Sequence, residues 1–151
     1  MPELARALAR AKDDSVREAA AEALGRIGGE QAKAALLAIL KQDYESSSVC
    51  VAVVRSLGWI GDPKVIPVLL REFDHDARDF QNVANALGNI DGPQSVSALL
   101  GLMHAESYHV RFTAAEALGQ IGDQEAVSPL MEMLRSDRTS AARFAAAESL
   151  V

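Results

Sequence analysis

A six-residue phrase, Ala-Leu-Gly-x-Ile-Gly, recurs along this chain at intervals of about thirty residues. It starts at Ala23, returns with small changes at Ser56, Ala86 and Ala117, and begins a fifth time at Ser149. The leucines at positions 24, 57, 87, 118 and 150 give spacings of 33, 30, 31 and 32 residues. Repeats of this length are typical of helical solenoids, in which each unit packs mainly on its neighbours. The 151 residues therefore predict one domain of five repeats, near 1–28, 29–61, 62–91, 92–122 and 123–151.

Each repeat contains two segments in which apolar residues fall at helical spacing, separated by turn residues. Sustained period-two alternation, the signature of strands, is absent from the sequence. We therefore expect an all-α fold in which every repeat is a pair of helices, a first helix (A) and a second helix (B). The predicted A helices are Glu3–Ala11, Glu30–Lys41, Pro63–Phe73, Pro93–Ala105 and Gln124–Ser136. The predicted B helices are Ser15–Ile27, Ser47–Ile60, Ala77–Ile90, Tyr108–Ile121 and Ser140–Leu150.

The glycines of the phrase predict two different structural roles. Gly28, Gly61 and Gly122 follow B helices, where a residue with positive φ closes the last turn at little steric cost. Asp62 and Asp123 come next and are predicted to cap the following A helices.

The inner glycine of the phrase lies within the B helix, where glycine costs roughly 1 kcal/mol relative to alanine. It occurs as Gly25, Gly58, Gly88 and Gly119. We expect close approach of a neighbouring helix to offset this cost.

These residues resemble the phycobilin-lyase type of HEAT repeat, whose pattern reads Val-Arg-x-x-Ala-Ala-x-Ala-Leu-Gly-x-Ile-Gly-Asp-x-x-Ala-Val-x-Pro-Leu. The segment from Val110 to Leu130 matches this pattern best, and the segment from Val16 to Gly28 is nearly as good. The third repeat departs from it, which predicts a local irregularity around Asp74–Asp79. The resemblance implies a right-handed α-α superhelix whose B helices line the concave face.

The variable positions of the pattern are not needed for packing between helices, so their side chains are available for recognition. We predict that aromatic anchors, charged groups and backbone-binding amides on this face bind a protein or peptide partner. The predicted partner-binding residues are Trp59, Arg55, Asn85, Asn89, Tyr108, Phe112, Glu116, Phe144 and Glu148. Two alternatives stay open: the aromatic rings cover the edges of the core or pack on a second copy, and the asparagines, with Asn82, are solvated polar positions.

Charge and cysteine content narrow the function classes. The chain has 15 Lys and Arg against 21 Asp and Glu, a net charge of −6, which disfavours a nucleic-acid partner. The one cysteine allows no internal disulfide, and the N-terminus has neither a basic start nor a long apolar stretch. We therefore expect a cytoplasmic protein that does not bind a membrane.

No motif in the sequence predicts catalysis, a metal or a cofactor. A HEAT-like family with a di-iron site, deoxyhypusine hydroxylase, uses His-Glu pairs on its B helices, and this sequence contains no such pair. The histidines His75, His104 and His109 lack the spacing of metal ligands. The Asp74–Asp79 cluster around His75 is predicted to cap the ends of the adjoining helices. Cys50 is predicted to be a buried or half-buried inert thiol.

Arg17, Arg111 and Arg143 recur at one position of the repeat. The resemblance implies a structural ladder there, because similar repeats use this arginine to bridge to acids in an adjacent turn. HEAT-like DNA glycosylases need a basic groove, whereas the predicted groove is acidic on balance.

The sequence thus predicts a binding scaffold that is not an enzyme. The resemblance implies a second function, since relatives assist the attachment or removal of bilin chromophores on phycobiliproteins, as a lyase subunit or chaperone. A third interpretation comes from the end of the last helix at Leu150 and Val151, which leaves an apolar repeat face. A homodimer or a continuation of a longer solenoid is expected to cover that face.

Overall fold

The computed structural model describes residues 1–41, 47–72, 80–90 and 92–151, and within these ranges the regular structure is entirely helical. Two single turns of 3-10 helix, Pro63–Val65 and Gln124–Ala126, lead into α5 and α9. The α-helices are α1 Pro2–Arg10, α2 Asp14–Ile27, α3 Gly29–Leu40, α4 Ser47–Ile60, α5 Ile66–Glu72, α6 Phe80–Asn89, α7 Pro93–Leu102, α8 Tyr108–Ile121, α9 Val127–Ser136 and α10 Ser140–Ser149.

The helices pair as the repeats predict. Each odd-numbered helix is an A helix and packs on the B helix that follows it, and the B helices α2, α4, α6, α8 and α10 pack side by side in chain order. The prediction of an all-α solenoid of helix pairs is therefore confirmed, while its handedness stays a prediction. The leucines of the phrase, Leu24, Leu57, Leu87 and Leu118, are fully buried between the two layers.

Two A helices start later than predicted, because a 3-10 turn replaces their first α-helical turn. Asp62 and Asp123 cap these turns, accepting bonds from the backbone N–H groups of Lys64 (3.0 Å) and Glu125 (2.8 Å). Pro67 and Pro129 follow soon after, and proline has no N–H for the first i to i−4 bonds of an α-helix. The shorter i to i−3 bonds of a 3-10 turn satisfy the first carbonyls instead.

The other boundaries agree with prediction to within a few residues, and α7 ends at Leu102 rather than Ala105. Phe73, the start of the predicted third B helix at Ala77 and the predicted irregularity at Asp74–Asp79 lie outside the described residues.

The B helices approach one another closely at three of the four inner glycines. A Cβ added to Gly25 would lie 2.6 Å from the Cβ of Ser56, and one added to Gly119 would lie 2.6 Å from the Cβ of Ser149. At Gly58 the added Cβ would lie 2.7 Å from the Cα of Ala86. Glycine at these positions lets each B helix pack against a small residue of the next one. The predicted close approach is therefore confirmed for these three.

Gly88 is the exception, because a Cβ added there would meet nothing nearer than the Ala117 Cβ and the Gln120 side-chain oxygen, both at 4.0 Å. The prediction of close approach is wrong at this position, since a distance of 4.0 Å is ordinary van der Waals contact. The α6–α8 junction is thus packed less tightly than the other three.

The tight contacts lie on one side of the array. The B helices α2 and α4 contact each other over much more of their length than the A helices α1 and α3 do. This difference in spacing favours a curve with the B helices on its inner side, as the resemblance implies.

The predicted helix-ending glycines are confirmed. Gly28, Gly61 and Gly122 have φ values of 69°, 72° and 68°, in the region where a side chain would be strained.

Polar contacts also join successive repeats. The buried ammonium of Lys33 in α3 forms ion pairs with Glu30 in its own helix and with Asp62 in the following repeat.

The Gly58→Ala variant is expected to destabilise the protein, because the new methyl group would overlap the α6 backbone at Ala86. Overpacking of this kind costs about 1–3 kcal/mol. The matched control is Gly88→Ala, at the same position of the next repeat, where the space is open. There we expect a gain of about 0.5–1 kcal/mol from helix propensity. Urea denaturation followed by circular dichroism measures both, and equal changes in the two variants would contradict the close-approach explanation.

Candidate binding face

The variable positions of the B helices that are not buried form the solvent-exposed surface of the B-helix layer, here called the B face, in which equivalent residues of successive repeats lie side by side. Arg55 in α4 forms an ion pair with Glu22 in α2, at the same position one repeat earlier. The guanidinium carbon of Arg26 lies 5.8 Å from the ring centroid of Trp59, again its equivalent in the next repeat. Equivalent variable residues of the first and second repeats are therefore in contact at this end of the array.

Trp59 is the centre of a cluster at the α2–α4 end of the B face. Its side chain is 43% exposed, and the guanidinium carbon of Arg55 lies 5.6 Å from its ring centroid. We call Glu22, Arg26, Arg55 and Trp59 the Trp59 cluster. Trp59 and Arg55 are among the predicted partner-binding residues and Arg26 is not, although Arg26 stands 33 residues before Trp59, at the same position of the repeat.

The middle of the B face is polar and uncharged. Asn85 and Asn89 in α6 are both exposed, whereas Asn82 is half-buried. The side-chain amide of Gln81 donates to the Asn85 side-chain oxygen at 3.3 Å, so Asn85 is partly engaged within its own helix. Asn89 presents an amide with both donor and acceptor atoms to solvent.

Two glutamates and two phenylalanines mark the α8–α10 end of the B face. Phe144 is 60% exposed, whereas Phe112 is half-buried and packs on the core. Burial, and secondarily the neighbouring Glu148 carboxylate, raise the pKa of Glu116 above its ordinary value. This end of the face therefore combines an exposed aromatic ring with concentrated negative charge.

Tyr108, the ninth predicted site residue, is 40% exposed at the start of α8. Its ring centroid lies 3.9 Å from that of His109. The structure thus brings together Arg55 with Trp59, and Glu116 with Glu148, and it places these two groups at opposite ends of the array.

The predicted bridge to an acidic side chain forms at Arg17 and Arg111, whereas Arg143 donates to a backbone carbonyl. Arg17 donates to the Leu8 carbonyl at the end of its own A helix and to the Asp14 carboxylate. Arg143 donates to the backbone carbonyl of Asp137. Each therefore ties the end of the A helix of its repeat to the start of the B helix.

Arg111 makes the most extensive of these contacts, and its side chain is only 5% exposed. It donates to both oxygens of Asp137, at 2.7 and 3.0 Å, and to the carbonyls of Ala105 and Glu106. Asp137 belongs to the next repeat, so this bidentate ion pair joins the fourth and fifth repeats. A cleft of about 360 Å³ beside the pair is lined by Met103, His104, Met133 and Arg138, among others.

Within the described parts of the chain, no three His, Cys, Asp or Glu side chains lie close enough to hold a metal ion. The absence of a metal site stays a prediction for the chain as a whole, because His75 and the Asp74–Asp79 cluster lie outside the described residues. Cys50 is half-buried. No helix in the described ranges is long and apolar enough to cross a lipid bilayer.

Comparison with known proteins places the repeats in a family. A sequence profile of HEAT repeats matches residues 1–81 and 71–151, which together cover the whole chain. The chain belongs to the HEAT-repeat family. Its fold is also similar to that of a chain in a solved structure, the complex of CpcE and CpcF of phycocyanin lyase from Nostoc sp. PCC7120. That likeness covers 99% of this chain and 97% of the compared chain, with a TM-score of 0.72 and 22% identity.

Two curated relatives of this HEAT-repeat chain confirm the resemblance to the phycobilin-lyase type. The phycocyanobilin lyase subunit alpha of Synechococcus elongatus is 29% identical over 90 residues, which cover 50% of this chain and 33% of that protein. The bilin biosynthesis protein PecE of Mastigocladus laminosus is 37% identical over 59 residues, which cover 38% of this chain and 22% of that protein. The matched segments thus span a third or less of the length of these relatives.

These comparisons correct one prediction, that the protein is not an enzyme. The prediction is wrong because the relatives include a subunit of a lyase. It rested on the absence of local catalytic motifs, and a solenoid can assemble a site from residues contributed by several repeats. Such a site leaves no compact motif in the sequence.

Replacing Asp137 by asparagine is expected to destabilise the protein by about 3 kcal/mol, because the buried Arg111 guanidinium would lose its counter-charge. The control is Asp123→Asn, an N-cap position where asparagine serves about as well as aspartate. Thermal and urea denaturation measure both variants. A loss at Asp137 no larger than that at Asp123 would show that the ion pair contributes little.

The effect of the Asp137 substitution is expected to depend on pH. The Arg111 guanidinium, with smaller contributions from Thr139, holds the pKa of Asp137 well below its ordinary value of 3.8. A lowered carboxyl pKa contributes stability that is complete above the unfolded-state pKa and is lost as the pH falls through the folded-state pKa. The difference in unfolding free energy between wild type and Asp137→Asn is therefore largest near neutral pH and shrinks below about pH 4. A difference independent of pH would contradict the ionic explanation.

Proposed function

We propose that this chain is a bilin lyase subunit, or part of one, and that its B face binds the bilin while the pigment is attached or removed. The observation that carries this proposal is the match of its repeats to two proteins named for bilin chemistry, one of them a lyase subunit. The shared solenoid architecture supports it. The bilin is a substrate in this proposal, so the chain needs no resident cofactor.

The chemistry of the B face suits an open-chain tetrapyrrole. Such a molecule has a flat conjugated system, pyrrole N–H donors, carbonyl acceptors and carboxylate side chains. Trp59 offers an exposed ring for stacking, and Asn85 and Asn89 offer amides for the polar edges of the pyrrole rings. The role of these residues is to bind and orient the pigment and to exclude water from part of it.

The other end of the B face supports a protein-binding role within the same function. Phe144 is exposed on α10, with Glu148 one turn further along the helix and Glu116 in the neighbouring α8. An exposed aromatic ring rimmed by charged groups is typical of a protein interface. We assign this end, with Tyr108 and Phe112, to contact with a second protein. The predicted protein-binding role is then one part of the lyase function. The cytoplasmic location stays a prediction.

The proposal is tested by titrating the purified protein with phycocyanobilin. The chain contains one tryptophan, Trp59, so its fluorescence reports on this face alone. We expect quenching of the tryptophan emission together with a change in the visible absorption and an induced circular dichroism of the pigment, all saturating at one equivalent. A titration with tryptophan amide in place of the protein corrects for absorption of the emitted light by the pigment. An unchanged pigment spectrum, with quenching no greater than in that control, would overturn the proposed function.

A second prediction separates the two ends of the B face. Phe144→Ala is expected to leave pigment affinity within about twofold of wild type, because residue 144 lies three repeats away from Trp59 along a stack with about 10 Å between helices. The same titration measures this, with helicity checked by circular dichroism. A loss of pigment affinity as large as that of a Trp59→Leu variant would show that the pigment occupies the α8–α10 end instead.

A further inference from the structure

The Trp59 cluster places two positively charged side chains beside one exposed aromatic ring. Both Arg26 and Arg55 approach the ring of Trp59 to within 6 Å, and all three side chains are exposed to solvent. Arg55 is also paired with Glu22. In the described parts of the chain, the Arg26 guanidinium contacts the Trp59 ring, and its N–H groups donate to no protein acceptor.

A guanidinium held beside an aromatic ring keeps its hydrogen-bonding ability. The interaction with the ring uses the positive charge and consumes none of the five N–H donors, which form a planar fork. That geometry matches a carboxylate, which accepts two parallel N–H bonds from one arginine. Two such groups beside one exposed ring suit a ligand that is flat and conjugated and that carries two carboxylates.

The charge distribution along the B face favours this end for an anionic group. Arg26 and Arg55 are the only cationic residues at the variable positions of the B helices in this sequence. The opposite end carries Glu116 and Glu148, and their mutual repulsion contributes to the raised pKa of Glu116. The variable positions of α2 and α4 carry two glutamates, Glu18 and Glu22, beside the two arginines and are neutral on balance, so a carboxylate is repelled less there than at the negative α8–α10 end.

We infer that the Trp59 cluster is the carboxylate subsite of the B face. Arg26 and Arg55 bind the two propionate groups of a bilin, and Trp59 stacks on an adjacent pyrrole ring. The carboxylate of Glu22 competes with the ligand for Arg55, so it limits the affinity rather than supporting it. This inference rests on the proposed function and adds to it which end of the face takes the acidic groups of the pigment.

The test compares biliverdin with its dimethyl ester, which has the same conjugated rings but no free carboxylates. Binding is followed by the visible absorption of the pigment, since substitutions beside Trp59 alter its fluorescence. We expect wild type to bind biliverdin at least about tenfold more tightly than the ester, the size of effect that one charge-assisted pair supplies. Equal affinities for the two pigments would overturn the subsite.

The variants Arg26→Gln and Arg55→Gln are each expected to weaken biliverdin binding several-fold and to leave binding of the ester nearly unchanged. Arg135→Gln, on the exposed side of the A helix α9, is the matched control for loss of one positive charge. The same loss of affinity in all three variants would indicate a general effect of net charge and would contradict specific contacts.

Glu22→Gln tests whether Glu22 competes with the ligand for Arg55, an effect that a cluster with only a structural role would not show. If Glu22 competes for Arg55, this variant binds biliverdin more tightly than wild type, while its affinity for the ester does not change. Weaker binding would overturn the role assigned to Glu22 and the pairing of Arg55 with a propionate.

The experiments also separate this inference from the proposed function. Binding of biliverdin and ester with equal affinity to wild type and to all variants overturns the subsite and leaves a bilin-binding protein. Failure of wild type to bind either bilin overturns both.

Discussion

The close contact between glycine in one B helix and a small residue in the next is the constraint on which this structure depends. At Gly25, Gly58 and Gly119 the facing atoms belong to Ser56, Ala86 and Ser149, and there is no room for a methyl group. Because the contact occurs at the same place in successive repeats, it sets the alignment of each B helix relative to the last. The buried leucine beside each glycine is thereby placed between the two helical layers, and the variable residues are placed side by side on the B face.

Polar contacts reinforce the same alignment. Lys33 and Asp62 join the second repeat to the third, and Arg111 and Asp137 join the fourth to the fifth. A buried ion pair is weak support for stability by itself, because removing two charges from water is costly. A buried ion pair does destabilise any packing of the helices that leaves one charged partner buried without the other. These pairs therefore favour the same helix register as the glycine contacts.

Much of the fold could be predicted because the same structural residues recur in several repeats. The helix pairs, the positive-φ glycines and the aspartate caps follow from residues that recur, and the error in any one repeat is corrected by the others. What escaped prediction depends on single residues or on distances. The 3-10 turns depend on where Pro67 and Pro129 fall relative to the caps, and the open space at Gly88 is a matter of about one ångström between helices. The partner of Arg111 is 26 residues away, in a loop whose path no pattern defines.

The B face was predictable in outline for the same reason, because its positions are those that the repeat leaves variable. The contacts within it were harder to foresee. Trp59 was expected to be an anchor and is one side of a cluster with two arginines, whereas Phe112 was expected to be an anchor and lies half-buried on the core. Side-chain exposure depends on how closely the neighbours in adjacent repeats pack, and a single sequence does not supply those distances.

The looser contact at Gly88 makes the joint between α6 and α8 the place where we expect the array to bend. The first three B helices are held together by tight contacts at Gly25 and Gly58, and the last two by the contact at Gly119, whereas the joint between α6 and α8 has room to spare. A solenoid bends most easily where its helices are least tightly packed. The joint separates the Trp59 cluster from Phe144 and the two glutamates, so bending there changes the distance between the ends of the groove. The binding face can adjust its span in this way without altering the geometry inside either half.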